Sequence, residues 1–288
     1  MKLIADSGST KTSWCLMQEK GEHLFFTTEG YNPYFLSSDE IVRSLQLQLP
    51  REAALDQVDE IHFYGAGCYP EKKEVLDTAL KAIFPSANNY IELDLLAAAR
   101  ALLGNEAGFA AILGTGTNTC LYDGKAITHN IDSLGYILGD EGSGTAIGKK
   151  LLGDYIRDVM PQDIKENFWQ EFHLTPNDII HEIYSKKLPN RFCAGFSRFV
   201  HQHIEHTYMH ELVRKAFVAL FENLVSLYPN FQQYSFNCVG SIGYTYQAIL
   251  TEVVEQFQMK QGTFLCAPIE GLVAYHEALP VVATHASL

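Results

Sequence analysis

The sequence predicts a duplicated α/β protein, one βββαβαβα order written twice with a helical segment inserted in the second copy. Three observations carry this. Apolar spacing switches between the strand and helix periods in the same order in both halves. A Gly/Thr-rich turn stands between the first and second strand of each half, at 6–12 and at 114–118. The chain, at 288 residues, exceeds one ordinary domain.

Residues 2–5, 12–18 and 23–28 are short apolar or β-branched runs parted by polar or Gly-bearing turns, the pattern of a meander. Ile41, Leu45 and Leu49 fall at helical spacing within 39–49. A strand at 61–64 follows, then an amphipathic helix over 71–84 through Val75, Leu76, Ala79 and Ile83. A strand at 90–93 and a helix at 95–103 end the first copy. The second copy reads as strands at 110–113, 119–122 and 126–131, with a helix over 144–159. A helical insertion runs to about 228 and carries the stripe Leu212, Ala216, Leu220, Leu224. A strand at 236–239, a helix at 246–257, a strand at 263–266 and a helix at 270–279 complete it. These limits give an N-terminal domain at 1–104, completed by a C-terminal helix at 271–288, and a C-terminal domain at 105–270 with its insertion at about 160–230.

Composition removes several classes of function. Against 34 acidic residues stand 21 Lys and Arg, a net charge of −13 whose field repels a phosphate backbone, and no basic patch offsets it, so no nucleic-acid role is expected. No apolar run is long enough to cross a bilayer, so no membrane span is expected. The apolar stretch at 3–5 is cut short by Asp6, which leaves no secretory segment and points to the cytoplasm. Cys15, Cys68, Cys120, Cys193, Cys238 and Cys266 are scattered without a C-x-x-C pair, so neither zinc nor a disulfide framework is indicated.

The turn Asp6-Ser7-Gly8-Ser9-Thr10-Lys11-Thr12 packs one glycine and four hydroxyl residues into a bend. So few bulky Cβ groups let backbone N–H groups approach an anion, while Asp6 suits Mg²⁺ through water and Lys11 a β- or γ-phosphate. A plain polar hairpin is the competing reading, and the turn alone leaves both open. A Walker A loop is disfavoured, because G-x-x-x-x-G-K-[ST] is absent and the chain runs on into a strand. Gly114-Thr115-Gly116-Thr117-Asn118 repeats the arrangement at the matching point of the second copy. Two such turns at equivalent positions are the strongest signal in the residues themselves.

Asp94 falls between a strand and an Ala/Leu-rich helix, at the sheet edge where ligands gather in α/β folds. It is placed to take a proton from a hydroxyl, or to cap the helix, and on residue pattern alone the cap is the commoner role. Asp140-Glu141-Gly142-Ser143-Gly144 precedes a helix and offers groups for sugar hydroxyls and phosphate, or merely a complement to the helix dipole.

The motifs together resemble the N-acetylglucosamine kinase branch of the BadF/BadG/BcrA/BcrD-type ATPases, in the sugar kinase, actin and heat-shock ATPase superfamily. The matching segments are DSGSTKT at 6–12, YNPY around Asn32, GAG at 65–67, ELD ending at Asp94, LGTGTN at 113–118, LGDEGSG at 138–144, VGSIG at 239–243 and APIEGL at 267–272, which span nearly the whole chain. The resemblance implies duplicated ribonuclease H-like (actin-like ATPase) domains and a kinase that uses ATP and Mg²⁺ on an N-acetylated amino sugar. It implies Asp6 as the Mg²⁺ organiser, Gly8, Thr10 and Lys11 around the phosphates, and Gly114, Thr115 and Gly116 as the second phosphate loop. Asp94 is implied as general base, Asn32, Thr117 and Asp140 as sugar contacts, and Gly240, Ser241 and Gly243 as the loop approaching adenosine.

One departure bears on the substrate. Where animal relatives carry a tryptophan that packs on the sugar, this chain has Leu134, which makes N-acetylmuramic acid the rival of N-acetylglucosamine. Two further readings are an ATP-driven electron activator, which needs closely placed cysteines for an iron–sulfur cluster, and a non-catalytic sugar sensor. His206 and His210 form an i, i+4 pair beside His201 and His203, read as a solvated helix face rather than a metal site. The aromatics Phe192, Phe196, Phe199, Tyr208, Phe217, Phe221 and Tyr228 are read as core or as the face of a homodimer.

Overall fold

The computed structural model describes residues 1–8, 10–18, 23–50 and 55–278. Strands β1 (Lys2–Ser7), β2 (Lys11–Met17) and β3 (Leu24–Glu29) lead to α1 (Ser38–Gln48), β4 (Glu60–Gly65), α2 (Lys73–Ile83), β5 (Asn88–Leu93) and α3 (Asp94–Leu103). The order recurs with β6 (Ala107–Leu113), β7 (Thr117–Asp123), β8 (Ile127–His129), a short α4 (Gly135–Leu138) and α5 (Gly144–Ile156). The inserted helices are α6 (Gln162–Phe172), α7 (Pro176–Ser185), α8 (Pro189–Gly195), α9 (Ser197–Gln202) and α10 (Thr207–Asn223). The chain ends with β9 (Ser235–Val239), α11 (Ser241–Thr245), α12 (Gln247–Gln256), β10 (Lys260–Leu265) and α13 (Ile269–Ala278).

Among the described residues, two five-stranded sheets form, in the orders β3-β2-β1-β4-β5 and β10-β9-β6-β7-β8. In each, the first three strands are an antiparallel meander and the last two join in parallel. Numbered from its own first strand, each sheet has the same order, so the duplicated ribonuclease H-like plan holds. The chain forms two compact units, one from the described residues of 1–106, 124–126 and 268–288, the other from 107–123 and 127–267.

In the first unit, β1 is buried on both faces, which is why its sequence is a continuous apolar run rather than an alternating one. Period two sends Leu3 and Ala5 to the side covered by α1 and α2, where they meet Trp14, Phe63, Ile41, Leu45, Leu76 and Leu80. Ile4 goes to the other side, with Cys15, Tyr64, Ala97, Leu272 and Val273 from β2, β4, α3 and α13. A capping box starts α1: Ser37 Oγ accepts from the Glu40 N–H, and Glu40 Oε2 accepts from the Ser37 N–H.

The second unit builds its core from the inward faces of β6 and β9 and from the insertion, with Phe196, Phe199, Phe217, Phe221, Phe236 and Tyr228 all buried. The expected stripe on α10 is present through Leu212 and Leu220, joined by Met209, Val213, Phe217 and Phe221. Two elements differ from expectation. The helix at 71–84 begins with a 3₁₀ turn at Pro70–Lys72, so α2 proper starts at Lys73. The helix at 246–257 follows α11 after a break at Tyr246, whose hydroxyl donates to the Ser197 carbonyl at 2.6 Å. Of the expected helices at 270–279 and 271–288, residues 279–288 lie outside the described residues. No described helix is long and apolar enough to cross a membrane.

Behind β4 lies a buried polar cluster. Arg100 Nη1 donates to Tyr64 Oη at 2.7 Å, and Tyr64 Oη shares a hydrogen bond with His276 Nε2 at 2.9 Å. Among the described residues His276 Nδ1 is buried without a hydrogen-bond partner. The His62 ring packs 4.2 Å from it, and burial pushes the His276 pKa down to about 3.

Two predictions follow from this packing. Phe217→Ala should cost about 3–5 kcal/mol, read as a fall in urea midpoint at unchanged slope. His276 is neutral when folded and titrates near its ordinary 6.5 when unfolded, so its stabilisation is present above pH 6.5 and lost toward pH 3. His276→Gln should remove up to about 1.4 kcal/mol per pH unit from the acid loss of stability, measured by urea unfolding between pH 7 and 4.5. An unchanged acid slope would mean that His276 is not the group excluded from protonation.

Candidate functional site

In the first unit, parallel pairing sets Ser7, Gly65 and Leu93 side by side at the ends of β1, β4 and β5. Asp6 is one residue back from that line and Asp94 one residue beyond it, so both carboxylates reach the same sheet edge. Burial raises the Asp6 pKa to about 7, with the negative charge of Asp94 adding to the rise and Lys11 opposing it. Burial likewise raises Asp94 to about 6, opposed by the N–H groups of Leu95 and of Asp94 itself. Two carboxylates at one edge, both penalised by burial, are the hard-oxygen type of group. The Asp94 carboxylate thus also meets the first N–H groups of α3. Leu93 holds the cap position without a side-chain bond, and Asp94 is the first helical residue.

The β1–β2 hairpin closes through Gly8 N–H to Lys11 C=O at 3.0 Å. Ser9, inside the turn, lies outside the described residues. Its hydroxyl residues divide by role. Ser7 and Thr12 turn inward, bonded to each other at 2.7 Å, with Ser7 Oγ accepting from the Tyr31 N–H and Thr12 donating to the Glu29 carbonyl. Gly8, Thr10 and Lys11 remain exposed. Asn32 follows directly from Tyr31, so this buried network sets its position. Gly67 has φ 79° and passes so close to Asn32 that a Cβ there would lie 2.5 Å from Asn32 Oδ1. The GAG segment after β4 thus seats Asn32 beside the edge that carries Asp6 and Asp94.

In the second unit, the 114–116 turn is bonded to the first turn of α5. Gly144 N–H donates to Gly114 C=O at 2.9 Å, and Thr145 gives both its N–H and its hydroxyl to Thr115 C=O, at 3.2 and 2.6 Å. Asp140 Oδ1 accepts from the Thr117 N–H at 3.0 Å, and Thr117 Oγ1 donates to Glu141 C=O at 2.7 Å. Asp140 and Thr117 therefore hold each other, buried at 8% and 5% exposure. Burial raises the Asp140 pKa against the bonds from Thr117 and Ser133. Among the described residues, the amides of Thr115 and Gly116 donate to no protein group. At the end of β9, Gly240 has φ 127° and lies against the end of β6, where a Cβ would sit 2.3 Å from Leu113 C=O. Gly243 packs under Cys238 and Leu113, and Ser241 is exposed. The turn at 240–243 and the turn at 114–116 thus share one edge of their sheet.

Residue pattern missed the part that five residues play. Ser7 and Thr12 serve the fold rather than a ligand, Thr145 fixes the 114–116 turn from 30 residues away, and Tyr34 and Glu71 flank Asn32. Only the tertiary fold brings these together. The histidine pair separates: His206 Nδ1 caps α10 by accepting from the Tyr208 N–H, while His210 Nε2 lies 4.0 Å from Glu252. Five of the six free cysteines are buried. Leu134 is 59% exposed with φ 61°, ahead of α4.

No protein-family model and no curated protein sequence matched the chain. Among solved structures, a Porphyromonas gingivalis protein provisionally assigned as an N-acetylglucosamine kinase is 41% identical, with 96% of this chain and 98% of that one covered and a TM-score of 0.91. A Chromobacterium violaceum protein with the same provisional assignment is 14% identical over 95% of this chain and 98% of that one, at a TM-score of 0.72. A ROK family glucokinase from Streptomyces griseus, solved with glucose and AMPPNP, shares the fold at 12% identity over 96% of this chain and 98% of that one, TM-score 0.57. With two fifths of its residues shared along almost the full length of the first of these, the chain belongs to the N-acetylglucosamine kinase-like family of BadF/BadG/BcrA/BcrD-type ATPases, within the actin-like ATPase fold.

Proposed function

We propose that the chain is an ATP-dependent sugar kinase that phosphorylates an N-acetylated amino sugar, N-acetylglucosamine foremost, at the C6 hydroxyl. The observation that carries this reading is the Asp6–Asp94 pair at the edge of the first sheet, beside an exposed hairpin with Lys11 at its end. The family relative's own assignment supports the amino sugar.

In this reading Asp94 accepts the proton of the sugar hydroxyl as its oxygen attacks the γ-phosphorus of ATP. The bond from that phosphorus to the β,γ-bridging oxygen breaks, and ADP leaves. A pKa near 6 keeps Asp94 largely ionised at neutral pH yet more basic than an ordinary aspartate, as a general base requires. Gly8, Thr10 and Lys11 receive phosphate oxygens, and the unbonded amides of Thr115 and Gly116, with Gly114, form a second phosphate loop. Gly240, Ser241 and Gly243 take the adenosine end. Asn32, Thr117 and Asp140 face the sugar, with Asp140 offering the lone pairs that Thr117 leaves unused.

Asp6 fits Mg²⁺ through water, as a hard oxygen donor whose charge Asp94 opposes. When bound with ATP, Mg²⁺ neutralises charge on the phosphates. Leu134 presents an exposed aliphatic surface, which keeps N-acetylmuramic acid as the rival acceptor.

Coupled ADP release with N-acetylglucosamine, N-acetylmuramic acid, N-acetylmannosamine and glucose tests the reading. N-acetylglucosamine should give the highest kcat/KM, and no sugar-stimulated turnover would sink it. Asp94→Asn should lower kcat by about 10²–10⁴ while calorimetry still detects sugar binding, which separates a kinase from a sugar sensor. Asp6→Asn should raise the Mg²⁺ concentration needed for half-maximal turnover, read from a metal titration at fixed ATP.

A further inference from the structure

Asn32 is held by its neighbour in a way that fixes which of its atoms a ligand can meet. The Tyr34 N–H, which can only donate, points to Asn32 Oδ1 at 3.0 Å, so the carbonyl end of the amide is identified and occupied. Gly67 presses on the same oxygen. Asn32 C=O is also engaged, accepting from the N–H groups of Phe35 and Leu36 at 3.0 and 3.1 Å. What remains is the Nδ2 amide, with two hydrogens and no bond to a described residue.

The holder is itself held. Tyr34 donates through its hydroxyl to Glu71 Oε1 at 2.8 Å, in the turn that follows β4. The Glu71 N–H first, and then this bond, draw the Glu71 pKa down, while the bond draws the Tyr34 pKa up. Tyr69 packs edge-on to the Tyr34 ring at 6.3 Å, and Lys72 Nζ lies 5.1 Å from the ring centre. Tyr34 is nonetheless 49% exposed, too open for its contacts to be explained as core packing. The 32–36 turn and the 66–72 turn are clamped together at the point where Asn32 emerges.

Resting on the kinase reading, we propose that Tyr34 and Glu71 are positioning residues for the acceptor: they fix Asn32 as a donor-only group, so the sugar atom it meets must be an oxygen with free lone pairs, hydroxyl or carbonyl. Tyr34 supplies the backbone bond that sets the amide, and Glu71 fixes Tyr34. A Gln at position 71 keeps an oxygen for the Tyr34 hydroxyl, whereas Ala removes it.

The test is calorimetric binding of N-acetylglucosamine and of N-acetylmuramic acid to the full chain and to Tyr34→Phe, Glu71→Ala, Glu71→Gln and the Tyr34→Phe/Glu71→Ala double variant, with thermal midpoints recorded for each. Tyr34→Phe and Glu71→Ala should each weaken sugar binding about fivefold or more, with the double variant no weaker than either alone and Glu71→Gln close to the parent. AMPPNP binding should be unchanged in all. Sugar binding equal to the parent in both single variants overturns the inference while leaving the kinase reading intact. So does a loss shared by sugar, AMPPNP and thermal midpoint, which marks a merely structural pair. If the parent chain binds neither amino sugar, the kinase reading fails and this inference falls with it.

Discussion

The parallel register of β1, β4 and β5 is the constraint on which the candidate residues of the first unit depend. Because Ser7, Gly65 and Leu93 align, two carboxylates separated by 88 residues of chain reach one edge with only β4 between their strands. Roughly 5 Å separates neighbouring strands, so β1 and β5 stand about two such steps apart across β4. Gly65 leaves its room on the Ser7 side, where a Cβ would meet Cys68 Sγ and the Phe63 ring at 2.8 Å. Slipping one strand by a single residue would turn Asp6 or Asp94 to the opposite face and dissolve the pair.

The second sheet applies the same plan to a different chemistry. The end of β6 carries no acid, and its turn is Gly-Thr-Gly, fastened by the start of α5 rather than left open. Fastening the turn through the Gly114 and Thr115 carbonyls leaves the amides of Thr115 and Gly116 without a bond among the described residues, the polarity that suits an anion. The first unit thus brings two carboxylates to its edge, and the second brings unbonded backbone amides to its own. The duplication preserved the scaffold and let the two edges diverge.

Much of this was legible in the residues. Strand and helix order, the two turns and Asp94 at a sheet edge followed from spacing, because those features are local and periodic. What spacing could not reveal was how hydroxyls and amides are shared. Ser7 and Thr12 look the same in sequence as Thr10, yet two are buried in a structural network and one is exposed, a division decided by the partners Tyr31 and Glu29 on other segments. Spacing left Asp94 open between a cap and a proton acceptor, because the residue before a helix and its first residue are indistinguishable in sequence. Thr117 and Asp140 were readable as polar groups near a ligand, but not as partners across 23 residues.

Asp140 sits at φ 60°, a left-handed backbone that glycine adopts freely, asparagine and aspartate tolerate, and branched side chains resist. Natural selection therefore meets a narrow menu at this position before any ligand is considered. An aspartate retained there across distant relatives would record the shape of the main chain as much as the taste of the pocket. Its identity becomes informative about a ligand only where glycine or asparagine, which the same backbone accepts, fails to replace it.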